Sequence, residues 1–520
     1  LGAVGVWPAL AREGAGGGRQ VPVAEERPLK PRVVTASPLA SPLDELAAPV
    51  DIVTRDDILT SSAATLGALL GDLPGVGQSS FAAGASRPII RGLDNTRVRV
   101  QENGIGAGDV SAVSEDHGVP IDPFAAERVE VVRGPATLRY GSEAIGGVVN
   151  VINNRIPKAI PKGGFEAEAG AAYDSVGHGR QAFGKMQAAT GDVVWHGDAF
   201  ARKSENYAIP GPVDRQSETW AETSGIAGGA SVMLGNGDVD GYAGGAITYY
   251  DSKYGIPAPG NPANPVHIDM HQTKVQLASE LEFNDGPFSA LGLTGGYSDY
   301  SHGEVDATGA TGSRFDNEEW EGRAELLHRA VGPFTGAFGI QARKRDMEAA
   351  GEGGELLAPT TTEAIAAFLF EEMPLAGERL KLQLGGRIEQ VEVSGRALDA
   401  SIPLAPTDYA VDRSFTPASV SAGLVFAPVE KWVFGFTAQH VERAPDALEL
   451  FSKGPHEATE TFEIGDPTLG KESALSFEVN ARREGEDYSF EAAVFHTSFD
   501  DFIYKRLTGE MCDDSYDTCT

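Results

Sequence analysis

The chain has 520 residues, with 75 acidic against 42 basic side chains and a formal net charge of −33. That balance excludes a general nucleic-acid binder, which needs a basic footprint, and permits capture of cations at an acidic surface. No apolar run approaches the ~20 residues of a membrane-spanning helix, whereas a barrel strand needs only ~9–11.

In chain order, residues 1–11 (LGAVGVWPALA) read as the end of a secretory signal with cleavage after Ala11. Residues 12–32 are rich in Gly, Pro and charge and predict a flexible arm. Residues 33–157 predict a compact αβ segment. Within it, TRDDILTSSAATLGALLGDLPGV predicts a helix starting near Thr60–Ser62, with Leu66, Leu69 and Leu70 on one face and Leu73-Pro74-Gly75 as the stop. Short strands follow in RPIIRGL, TRVRVQENG, ERVEVVRG and GVVNVIN, the last two flanking a turn around Gly134-Pro135.

The texture changes after Pro157. Within residues 158–520, the stretch from about 164 to 505 carries alternating runs of about ten residues or more, joined in turn by short Gly/Asp/Pro turns and long polar loops. In WVFGFTAQ, Trp432, Phe434, Phe436 and Ala438 share one face and Val433, Gly435, Thr437 and Gln439 the other. In RLKLQLGGRIE, Leu380, Leu382, Leu384 and Ile388 oppose Lys381, Gln383, Arg387 and Glu389. In KVQLASELEF, Val275, Leu277, Leu281 and Phe283 oppose Gln276, Glu280 and Glu282. About fifteen such runs predict a membrane β-barrel, and an odd count predicts further strands, because single-chain bacterial barrels have even numbers. Cys512 and Cys519 in CDDSYDTC lack the four ligands of a zinc ribbon. They read as a short-loop disulfide in an oxidising compartment, the alternative being two free thiols.

RPIIRGLDNTRVRVQENG and ERVEVVRGPATLRYGSEAIGGVVNVINNRIP contain no nucleophile, phosphate cradle or metal cluster. An αβ block of this kind before a long barrel resembles the plug of the TonB-dependent outer-membrane receptors. The resemblance implies a bacterial outer-membrane location and a 22-stranded barrel with the αβ plug domain, residues 33–157, inside the lumen, leaving about seven strands beyond Thr520. It implies a periplasmic partner, TonB with its inner-membrane energising complex, pairing by strand addition with Arg32-Val33-Val34-Thr35-Ala36.

ASPLASPLDELAAPVDIVTRDDI, SEDHGVPIDP, YGIP, RAPDALELFSKGPHEATETFEIGDPTLGKE and DDFIYKRLTGE resemble the receptors of that family used for zinc uptake. What this implies is a metal site of Asp116, His117, Glu355 and His456, with Glu352 able to stand in for Glu355. The His-rich loop that often follows YGIP there is reduced to His267, Asp269 and His271. His178, His196, His302, His328, His440 and His496 stand alone in or beside strands and read as pore-lining or interfacial residues.

The resulting expectation is active, TonB-energised import of a metal ion, zinc first, carried as a transported ligand with no catalytic cofactor. Neutral imidazole with carboxylates suits Zn²⁺ and also Cu²⁺ or Ni²⁺. A second reading keeps the architecture and changes the cargo to a chelate, a siderophore or another small organic nutrient. A third, a secreted β-rich hydrolase, finds neither G-x-S-x-G nor H-E-x-x-H in the sequence, so no enzyme is expected.

Overall fold

The computed structural model describes residues 37–39, 41–133, 138–235, 237–257, 265–377, 379–399, 407–456, 461–484 and 488–511. The signal-like residues 1–11, the arm 12–32, the segment Arg32–Ala36 and both cysteines lie outside them.

The N-terminal unit is built on a five-stranded sheet in the order Val50–Thr54, Arg128–Val132, Gly147–Ile152, Val98–Glu102, Ile105–Gly106. The Val98–Glu102 and Gly147–Ile152 strands run parallel, and the other neighbours antiparallel. Val129, Val131, Val149 and Val151 are fully buried and pack with Ile58, Leu66, Leu69 and Leu70. Gly146 and Gly147 sit where the chain enters the central strand. A Cβ on Gly147 would lie 2.7 Å from Ile90 and 3.0 Å from the Val132 carbonyl, and its φ of 155° is one L side chains rarely adopt.

The single helix expected near Thr60–Ser62 is two helices, and the first starts earlier. Thr54 caps Arg55–Ser61 through a capping box with Asp57, Ser62 turns the chain at φ 52°, and Thr65 caps Leu66–Leu70. The Thr54–Asp57 pair satisfies the free amides of the first turn, which sets the start there rather than at the later hydroxyls.

Around this unit, sixteen strands of the described residues form one antiparallel sheet. Fifteen follow one another from Phe165–Asp174 to Ser489–Asp500. The sixteenth, Thr407–Phe415, pairs with the outer half of Leu380–Asp399, and Ala418–Phe426 pairs with its inner half. Pro417 lies between the two segments and has no amide to donate, so one crossing is written as two strands. Connections alternate between short turns at one end, such as 191–192 and 332–333, and longer segments at the other, such as 205–220 and 444–471. The longer connections mark the external face. No described helix is long and apolar enough to cross a membrane.

The alternation read from sequence holds in space. On Val266–Phe283, Gln272, Lys274 and Gln276 face the plug at 2–4% exposure, while Val275 and Leu277 face outward at 37% and 62%. Thr437 and Gln439 are likewise buried and Phe436 exposed. Arginines of the plug meet carboxylates on the barrel's inner face: Arg91 with Glu478 at 2.7 Å, Arg99 with Glu321 at 2.6 Å, and Arg139 with Glu325. Glu143 of the plug pairs in the reverse sense with Arg343.

Candidate metal centre

Beyond the edge strand Ile105–Gly106, residues 107–122 form a mostly buried loop beneath the external end of the barrel. Asp116 and His117 sit in it at 5% and 1% exposure. The Nδ1–H of His117 donates to the Val110 carbonyl at 3.1 Å, leaving Nε2 as its second ring nitrogen. Nε2 lies 3.3 Å from Glu304 Oε1 and 3.7 Å from Asp116 Oδ1. Burial pulls the imidazole's pKa down, but the Asp116 charge and the Glu304 hydrogen bond and charge outweigh it and hold it above its ordinary value.

Glu304 and His302 come from the strand Phe288–Val305, two residues apart and so on one face. The rings of His117 and His302 lie 4.3 Å apart, and Phe315 stacks on His302 at 4.9 Å. Tyr300 holds His302 Nδ1 at 3.0 Å, while its buried Nε2 has no hydrogen-bond partner among the described residues. His117, His302 and Glu304 each offer a ligand atom, all within 4.8 Å of one another. Two imidazoles and a carboxylate, with Asp116 alongside, match the donor types of a borderline divalent ion. The set is somewhat wider than a closed tetrahedral site, so an ion would draw the side chains inward.

His456 reaches the same loop from the other side. It lies on the hairpin of Lys453–His456 and Thr461–Ile464. Its Nδ1 meets Glu463 Oε1 at 2.7 Å and its Nε2 meets Ser114 Oγ at 2.8 Å, and the Ser114 hydroxyl donates to Asp116. His456 therefore contacts Asp116 through Ser114. Glu355 is exposed on the short helix Glu352–Leu356, which packs on the His456 strand through its backbone against Gly454. Its carboxylate does not belong to the three-residue group, and Glu352 is exposed as well. Asp269 is held by Lys253 at 2.6 Å, His267 packs on Trp220 at 5.7 Å, and His271 is exposed.

Of the histidines read as isolated, His196 pairs with Asp198 and His328 with Glu371, both away from the loop. His302 is different, since the structure places it against His117. The signal was present in SHGEV, where His302 and Glu304 share a strand face, but nothing local to that strand announces His117 across the lumen.

The family model for the TonB-dependent receptor plug domain matches residues 42–148, and the model for the TonB-dependent receptor-like β-barrel matches 215–518. The vitamin B12 transporter BtuB of Photobacterium profundum is 29% identical over 248 residues, 46% of this chain and 39% of that transporter. The match thus spans well under half the length of that curated relative. Among solved structures, the Serratia marcescens hemophore receptor HasR superposes with a TM-score of 0.72 at 14% identity, over 88% of this chain and 74% of that one. The copper transporter OprC gives 0.70 at 14%, over 87% and 72%. At such identities these two show the fold alone. With both family models matched and a plug seated within the sheet, this chain belongs to the TonB-dependent receptors, β-barrel proteins of the bacterial outer membrane.

Proposed function

We propose that this receptor imports a divalent metal ion, zinc first, across the outer membrane with energy supplied through TonB. The observation that carries the reading is His117 Nε2, buried between the Asp116 and Glu304 carboxylates and beside the unpartnered His302 nitrogen. Two carboxylates and two neutral imidazoles carry a charge of opposite sign and equal size to a dication. In this reading Asp116, His117, His302 and Glu304 hold the ion. His456 orients Asp116 through Ser114, and Glu355 has no part in the resting centre. The resemblance of SEDHGVPIDP and YGIP to receptors used for zinc uptake is what puts zinc first. Coupling through TonB follows from a plugged lumen in a membrane without ATP.

A second reading, import of a chelate or small organic nutrient, is favoured by a separate cavity of about 450 Å³ between the plug helices and the first barrel strands. Thr60, Tyr173, Arg180, Tyr207, Thr223 and Tyr250 line it, a set suited to a hydroxylated or anionic organic molecule.

Metal analysis of purified protein after competition among Zn²⁺, Cu²⁺, Ni²⁺ and Fe³⁺ tests the first reading. Retained zinc, lost in His117→Ala, is the expected result. No bound ion in the parent protein overturns it.

A further inference from the structure

We propose that Tyr254 is a positioning residue that fixes the direction of His117 before any ion arrives. This rests on the metal reading above for its consequence, but its geometry is independent of the cargo. Tyr254 is the first residue of YGIP, near the external end of the strand Val239–Ile256, and it is fully buried. Its hydroxyl accepts from the Gly118 amide at 2.8 Å and donates to the Asp116 carbonyl at 2.7 Å. One phenol on the barrel thus grips the peptide groups on both sides of His117, using its donor and its acceptor capacity.

The contact admits little slack. A Cβ on Gly118 would lie 2.5 Å from the Gly84 carbonyl and 3.3 Å from the Tyr254 hydroxyl. A Cβ on Gly84 would lie 2.2 Å from the Tyr254 ring. Two plug loops and one barrel side chain therefore interlock, and the two glycines are what let the ring enter. If the His117 peptide turned, both hydrogen bonds would break and a buried amide and carbonyl would be left unpaired. Partners that orient ligands without touching the ion typically change metal affinity by ~10–100-fold when removed. Two more residues of YGIP have a structural role: Gly255 passes tightly by Glu218, where a Cβ would come within 2.8 Å of its Cα, and Pro257 follows the last strand residue, Ile256.

The test is Tyr254→Phe in the full receptor, with Tyr242→Phe, a buried barrel tyrosine packed on Ile156, as control. Two quantities are measured: hydrogen exchange of the segment containing Gly118, and the zinc concentration that half-saturates binding. The expected result is faster exchange at Gly118 and a half-saturating concentration raised about tenfold or more, with maximal zinc bound unchanged and neither effect in Tyr242→Phe. Unchanged exchange overturns the grip. Faster exchange with unchanged zinc affinity overturns the positioning role. A parent protein that binds no zinc yet whose Gly118 exchange still answers to Tyr254→Phe leaves the grip standing and sinks the metal reading instead. Should Tyr254→Phe fail to assemble, exchange in the unmodified protein decides: Gly118 exchanging as fast as the exposed turn 284–287 overturns the proposal.

Discussion

The plug and the barrel pack in opposite senses. The plug sheet buries valines on its inside, Val129, Val131, Val149 and Val151, and sends arginines outward. The barrel buries Gln272, Gln276, Glu321 and Asn480 inward and sends Leu277, Ile340 and Phe436 out. The plug coheres through apolar burial, whereas plug meets barrel through hydrogen-bonded ion pairs, whose removal from water largely offsets their attraction, together with apolar clusters that join Ala85, Val110 and Val113 of the plug to Tyr254, Ile268 and Met270 of the barrel and Ile156 to Tyr242.

The largest effect should come from inside the plug. Val149→Asp buries a charge without a partner and should cost more than ~4 kcal/mol, making residues 33–157 protease-sensitive while the barrel keeps its heat-modifiable migration. If plug and barrel failed together, the plug would not be a separate cooperative unit. Next, Arg155→Ala removes a guanidinium held at 2.9 Å by Glu102 of the plug and at 3.0 Å by Asp198 of the barrel. It leaves Glu102 to Asn153 and Lys274 and Asp198 to His196, and should destabilise plug seating by ~1.5–3 kcal/mol in urea titrations of the assembled receptor. A loss below about 1 kcal/mol would show that the boundary is not held by such pairs.

If the proposed metal centre is right, His302→Ala should weaken zinc binding by ~10–100-fold, of the order lost when a metal site is disturbed, and His196→Ala should leave it within twofold. Equal losses in both would remove His302 from the centre. The ion must displace a proton that Asp116 and Glu304 favour on His117. Its affinity should therefore begin to fall, as pH is lowered, above the ordinary histidine value of about 6.5 rather than below it. In the ion-free receptor the sign reverses. The proton's contribution to stability is complete below the unfolded value and is lost as pH rises through the higher folded one.

Glu143, half-buried and held by Arg343 and Arg99, has its carboxyl lowered from 4.5 to about 2, the two guanidinium charges outweighing its partial loss of water. Its stabilising contribution is present above pH 4.5 and disappears as pH falls towards 2. Glu143→Gln should flatten plug seating over that window. The smallest effect belongs to the outer face, where Lys203 and Glu222 pair at 2.6 Å with both side chains mostly exposed. Lys203→Ala should change stability by less than ~1 kcal/mol.

The barrel was legible because its signal is local: a period of two with lipid-like residues on one face, as in Trp432, Phe434 and Phe436. The plug strands were legible for the same reason, and the count near fifteen survives because Pro417 divides one crossing rather than adding another. The helix start was misplaced because two capping residues, Thr54 and Thr65, compete within one stretch. The centre was legible only in part. Asp116-His117 stood out through motif resemblance. His302 did not, because its relation to His117 spans 185 positions and exists only once the plug sits in the lumen. Glu355 illustrates the converse, since a motif can bring a residue's backbone to the neighbourhood without turning its carboxylate inward.

Under the proposed import, the strand Phe288–Val305 also sets how far an ion travels. Tyr297 packs beside Trp320 at 4.3 Å, with Trp320 exposed on the outer face, an aromatic pair of the type that forms an interfacial girdle. His302 lies five residues farther along the same strand. A strand tilted by about 40° gains roughly 2.5 Å of height per residue, which puts the histidine about 13 Å beyond that girdle. An ion resting there has left the bulk medium but has not reached the depth of the acyl chains. Its whole transit past the hydrocarbon layer would then run through protein, so bilayer thickness sets the length of the route and the plug's polar groups set its energy profile.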